Sequence, residues 1–189
     1  MKQLILLSAT VLAVWMMQSC GNNPNNSQSE KPTDSAQAVN DSMQTVDEKS
    51  SQFAVDAANA GMKEVALGKI AQEKGLNERV KAFGMMMVND HTKAGDELKA
   101  LADRKSIALP AELSTEDKNH IDDMAKKNGK AFDKAYIDMM VDGHNKVVDE
   151  FEKASDNVTD DDLKTWARNT LPTLKAHLDS AKAIKDALK

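Results

Sequence analysis

Three of the four histidines, His91, His144 and His177, fall on the apolar stripes of three separate segments with helical periodicity, and Glu64 falls on the stripe of a fourth. Imidazole and carboxylate are the ligand set of Zn²⁺, with Cu or Fe as further candidates. A carboxylate taken out of water is costly unless it is paired or metal-bound, so an inward Glu64 facing three inward histidines makes chemical sense as a site for one divalent ion inside a helical bundle. Asp90, beside His91, is placed to be a further ligand or the acceptor that fixes the tautomer of its neighbour. The same residues also allow a metal-free reading, in which each histidine hydrogen-bonds a neighbouring helix or Glu64. Met87 with His91, and Met140 with His144, are i, i+4 pairs whose thioether and imidazole would suit Cu(I), although filling a core is the commoner use of methionine. Asp117 and His120 share a face of a short segment at a spacing frequent by chance, and a surface position is expected for them.

Two of these histidines occupy equivalent places in an internal match. Residues 81–97 (KAFGMMMVNDHTKAGDE) and 134–150 (KAYIDMMVDGHNKVVDE) align without gaps, with nine of seventeen positions identical, His91/His144 among them. The register puts an imidazole at a similar depth on two different helices.

The elements that must hold these groups are helical throughout. A first helix at about 48–75 lines up Phe53, Ala57, Ala60, Glu64, Leu67 and Ala71. A second, about 77–105, carries Val80, Phe83, Met87, His91, Leu98 and Leu101 along one stripe. Ser114 caps a short helix with Asp117 in the box position, and Asn128-Gly129 is expected to end it. The third long helix, about 130–155, runs through Phe132, Tyr136, Met140, His144 and Phe151. Thr159 is expected to cap the fourth, which aligns Leu163, Ala167, Leu174, His177, Ala181 and Ile184, with Pro172 as an expected kink. Short connections between long amphipathic helices predict an all-α fold: an antiparallel four-helix bundle with a short helix in the crossover between its second and third long helices.

The chain begins differently. After Met1-Lys2-Gln3 comes an apolar run from Leu4 to Met17, then Gln18-Ser19-Cys20. That is too short for a membrane span, which needs about 20 apolar residues, and it has the form of a secretory signal over 1–19. The single cysteine stands at the cleavage point, as in bacterial lipoproteins whose Cys is lipidated on sulfur. Each buried CH₂ of an acyl chain contributes about 0.8 kcal/mol, so several chains on Cys20 would anchor the protein to a bacterial membrane. The outer membrane, on its periplasmic or surface side, is the expected location. Residues 20–46, rich in Asn, Ser and Gln, are predicted to be a flexible tether, leaving 47–189 as the helical domain. One cysteine excludes an internal disulfide framework and a Cys-based zinc or iron–sulfur site. The net charge moves from −5 to −6 on loss of Lys2 with the signal, giving no footprint for nucleic acid. No glycine-rich phosphate loop and no Ser/His/Asp arrangement occurs, so no catalytic residues are assigned and an enzyme is not the expectation.

AANAGMKEVALGKIAQEKG (57–75), VKAFGMMMVNDHTKAGDELKALA (80–102), AFDKAYIDMMVDGH (131–144) and TLPTLKAHLDSA (170–181) resemble the bacterial envelope proteins grouped as domain of unknown function 4142. The likeness covers about 51–186. It implies a ferritin-like fold and marks Glu64, Asp90-His91, Asp133, Tyr136, His144 and Leu171-Pro172 with His177 as distinctive, adding Asp133 and Tyr136 to Asp90 as candidate groups behind the ligands. Gly143 departs from the larger or acidic residue many relatives carry there, so an Asp-His pair on the third helix is not implied. Di-iron members of the ferritin-like fold use Glu-x-x-His twice. This chain has none, which argues against a carboxylate-bridged di-iron oxidase and against mineral storage. The function expected is metal handling or envelope stress; the alternative is a metal-free structural or interaction protein.

Overall fold

The computed structural model describes residues 31–188, all-α with no strand among them. Six helices follow in order: α1 (Pro32–Met43), α2 (Glu48–Lys74), α3 (Glu78–Lys105), α4 (Thr115–Ala125), α5 (Gly129–Asn157) and α6 (Asp161–Ala187). The starts are fixed by short polar side chains that satisfy otherwise orphaned backbone N–H groups. Asp47 accepts from the Ser50 N–H, Asn77 from Arg79, and Ser114 from Asp117. The cap of α6 is Asp160, which accepts from Asp162 and Leu163, rather than the expected Thr159, whose hydroxyl donates to Asp47 instead. Asn128 and Gly129 do not end the short helix, which stops at Ala125. Asn128 opens α5, and Gly129 takes φ 58°, a left-handed conformation that glycine enters without steric cost. Helix α6 continues on both sides of Pro172.

Helix α3 doubles back along α2 after a three-residue connection, and α5 packs mainly on α6. The α2–α3 contact is close enough to exclude side chains. A Cβ at Gly68 would stand 2.8 Å from the Gly84 carbonyl, and one at Gly84 would stand 2.7 Å from the Gly68 carbonyl. This approach brings α2, and Glu64 one turn before Gly68, against α3. Asp133 of α5 fastens the same connection, its carboxylate accepting from the Leu76 and Asn77 N–H groups at 2.9 and 2.8 Å.

Apolar side chains fill the interior on either side of the histidines. Phe53, Phe151 and Trp166 cluster with ring centroids 5.1–5.9 Å apart. Phe132 stacks on Tyr136 at 5.8 Å, and Phe83 meets Tyr136 edge-on. Along α5, His144 lies about two turns from Tyr136 and from Phe151, so it belongs to the middle of the core. Met87 and Met140 are fully buried within that core. Each fully buried large side chain contributes about 2 kcal/mol, so the imidazoles are held in a frame of packed apolar groups.

The predicted tether is corrected in part. Residues 32–43 form α1, with Pro32 in the first turn and Ala36 and Asn40 buried. The Asn40 amide donates to the Ala108 carbonyl at 3.0 Å and accepts from the Ala108 N–H at 2.7 Å, tying α1 to the segment after α3. A composition argument counts too few apolar residues here and misses a polar side chain that replaces a peptide's hydrogen bonds. Helix α4 is held likewise, by Asp117 against Lys63 at 2.8 Å and Asn59 at 3.3 Å. The signal segment, Cys20 and the first part of the tether lie outside the described residues.

Candidate metal centre

His91 of α3, His144 of α5 and His177 of α6 meet in the core, their ring centroids 5.8, 5.3 and 5.4 Å apart. One ring nitrogen from each falls within 4.8 Å of the other two. His144 and His177 are 1% exposed and His91 is 9% exposed.

The hydrogen bonds decide which nitrogens are free. His144 Nδ1 lies 3.0 Å from the Met140 carbonyl, an acceptor only, so Nδ1 carries the proton and Nε2 is left with its lone pair. His177 Nε2 lies 2.9 Å from Asp90 Oδ2, which leaves the lone pair on Nδ1. His144 Nε2, His177 Nδ1 and His91 Nε2 are all buried without a partner. A ligating histidine ordinarily donates its other N–H to a carboxylate or a backbone carbonyl, and two of the three do so here. Burial, then the nearby His177 and His144 rings, pushes His91 down to about 3. Burial and His177 push His144 down to about 4, against the pull of its bond to Met140. Burial lowers His177 too, with Asp90 opposing. The rings are therefore neutral at pH 7, the state that binds metal.

Glu64 is 8% exposed and its Oε2 has no partner. Burial raises its carboxyl to about 7, with the Lys63 charge opposing. It lines the same cavity as His91 and His144, but its oxygens are outside the group of three nitrogens. A Cβ at Gly143 would stand 3.6 Å from Glu64 Oε1, so the small residue before His144 faces this carboxyl across α2 and α5.

The residues expected behind the ligands separate. Asp90 reaches the histidine cluster, but through His177 across α3 and α6, not through its neighbour His91. Asp133 lies away from the cluster: its carboxylate is spent on the α2–α3 connection, about three helical turns from His144 along α5. Tyr136 is buried with its hydroxyl unpartnered, and burial together with the Glu64 charge raises its pKa. His120 is exposed on α4, away from the cluster, as expected for a surface group. Trp166, which no sequence pattern singled out, borders the same cavity with its indole N–H buried and unpartnered. Neither that nor the pairing of Asp90 with a residue 87 positions away leaves a local signal in one sequence.

A family model described as "Domain of unknown function (DUF4142)" matches residues 32–184. Among solved structures, the chain is similar to the crystal structure of a DUF305 fragment from Deinococcus radiodurans. The TM-score is 0.65 at 12% identity, covering 74% of this chain and 96% of that one. At that identity the likeness shows the fold alone. No curated protein matches the chain.

Proposed function

Since the chain belongs to the DUF4142 family, a domain of unknown function, its own chemistry has to indicate its role, and we propose that it binds one divalent metal ion through His91, His144 and His177. Glu64 supplies a carboxyl beside the ion. The ion is Zn²⁺ in this reading, with Cu or Fe as the other imidazole-binding candidates. The protein then acts in metal handling or envelope stress, as a ferritin-like antiparallel four-helix bundle of α2, α3, α5 and α6 with α4 in the crossover. Three packed pairs support that arrangement: α2 on α3, α5 on α6, and α3 on α6.

The observation that carries the reading is the set of three unpartnered nitrogens. Each buried polar atom without a partner costs about 1–3 kcal/mol, so three buried ring nitrogens without partners in one cluster are expensive until a cation or a proton satisfies them. If the histidines were only structural, each ring would be expected to use both nitrogens. Tetrahedral Zn–N bonds of about 2.0 Å put ligand nitrogens about 3.3 Å apart, so small side-chain rotations close the present spacing. The Asp90–His177 bond gives the test. Asp90→Asn removes the charge that raises the basicity of His177, and zinc affinity should fall by about 10–100-fold in a competition titration with a chromophoric chelator. Unchanged affinity would count against the site.

We also propose that the domain is anchored through lipid on Cys20 to a bacterial membrane, most simply the outer membrane. Cys20→Ser is expected to move the protein from the membrane fraction to the soluble one. An unaltered distribution would refute the anchor and leave the metal centre untouched.

A further inference from the structure

We propose that the cavity beside the histidine triad is a pocket for a small ligand of two or three heavy atoms with hydrogen-bond acceptor ends. Resting on the metal reading above, it assigns that ligand to the coordination position the three histidines leave open. The cavity measures about 40 Å³ and lies between α2, α3, α5 and α6. A water needs about 10–15 Å³ of such space, so there is room for two or three atoms and none for a phosphate or an organic acid. Its walls are mostly apolar, from Leu98, Phe151 and Leu174 among others.

Besides the histidines and Thr170, two polar groups interrupt these walls, and each has a buried atom without a partner. Trp166 is 9% exposed and Glu64 is 8% exposed, yet the indole Nε1 and the carboxyl Oε2 are both buried and unbonded. An indole N–H can only donate, so it calls for an acceptor in the cavity. His91 and His144 border the same space, which sets two of the three clustered histidines against it. The small residues on the solvent side are consistent with entry. Gly61 is half-buried and Gly95 exposed, both line the cavity, and a Cβ built on either would meet nothing within 4 Å. Glycine is unfavourable in a helix interior, and nothing at these two positions requires it for packing.

Azide is the probe, because it is triatomic, carries acceptor lone pairs at both ends and gives a charge-transfer band on Cu²⁺. The chain loaded with Cu²⁺ is titrated with azide and followed by absorption, with copper content measured on the same samples. The wild type is expected to hold one copper and develop the band. Gly61→Leu, whose Cβ would meet no neighbouring side chain or helix within 4 Å, is expected to keep the copper and lose the azide response. Gly95→Leu is a second plug of the same mouth should Gly61→Leu fail to fold. Trp166→Phe, which keeps a ring but lacks the N–H, should weaken azide by about fivefold to tenfold. Copper uptake without an azide band, or equal azide affinity in the wild type and a folded plug variant, overturns the pocket alone. Failure of the wild type to take up copper overturns the metal reading and the pocket with it.

Discussion

Zinc at about a thousandfold excess over its dissociation constant is expected to stabilise the wild-type chain by about 4 kcal/mol, and His144→Ala should abolish that gain. For a domain of this size the wild-type shift corresponds to a rise in Tm of about 10 °C. His144 is the sharpest place to cut because it is 1% exposed and its Nδ1 is already committed to the Met140 carbonyl. The ring has one orientation and one free nitrogen, so no rotation of a neighbour replaces it. The substitution also leaves a void and lowers the metal-free Tm, so the quantity to compare is the zinc-dependent shift in each protein. An equal shift in wild type and variant would place the bound zinc elsewhere.

Asp133→Ala should act in the opposite way, lowering stability by about 3 kcal/mol while leaving zinc uptake intact. The carboxylate is 2% exposed and is the partner of two backbone donors, Leu76 and Asn77, at the α2–α3 connection. Removing it strands both, at about 1–3 kcal/mol for each N–H that water cannot reach. Chemical denaturation with and without zinc separates the effects. A lower midpoint with a full zinc-dependent increment fits a structural carboxylate. An unchanged midpoint with lost zinc binding would return Asp133 to the site.

These two residues also mark how far one sequence carries. The spacing of Glu64, His91, His144 and His177 was enough to put all four on inward stripes, because a helix repeats its faces every 3.6 residues and burial follows the stripe. All four are buried. Periodicity gives the face of a helix and says nothing of rotation between helices, so it could not separate the three converging imidazoles from the carboxyl beside them. Neighbours in sequence misled for the same reason. Asp90 precedes His91, yet successive helical residues point about 100° apart, and its carboxylate crosses to His177. Asp133 carried a distinctive type at a distinctive place, and burial turned it to the backbone of another turn. Helix α1 was hidden because its attachment rests on one amide, Asn40, bonded at both ends to Ala108.

Convergence of three imidazoles on one ion is what distinguishes a metal centre here from a metal-free core. X-ray absorption at the metal edge of the zinc-loaded chain tests it most directly, since imidazole rings add outer-shell multiple scattering that carboxylates and water do not. The expected result is one zinc per chain with a nitrogen/oxygen shell at about 2.0 Å and scattering from three imidazoles. No bound zinc after dialysis, or a shell of oxygen ligands without imidazole scattering, would contradict it.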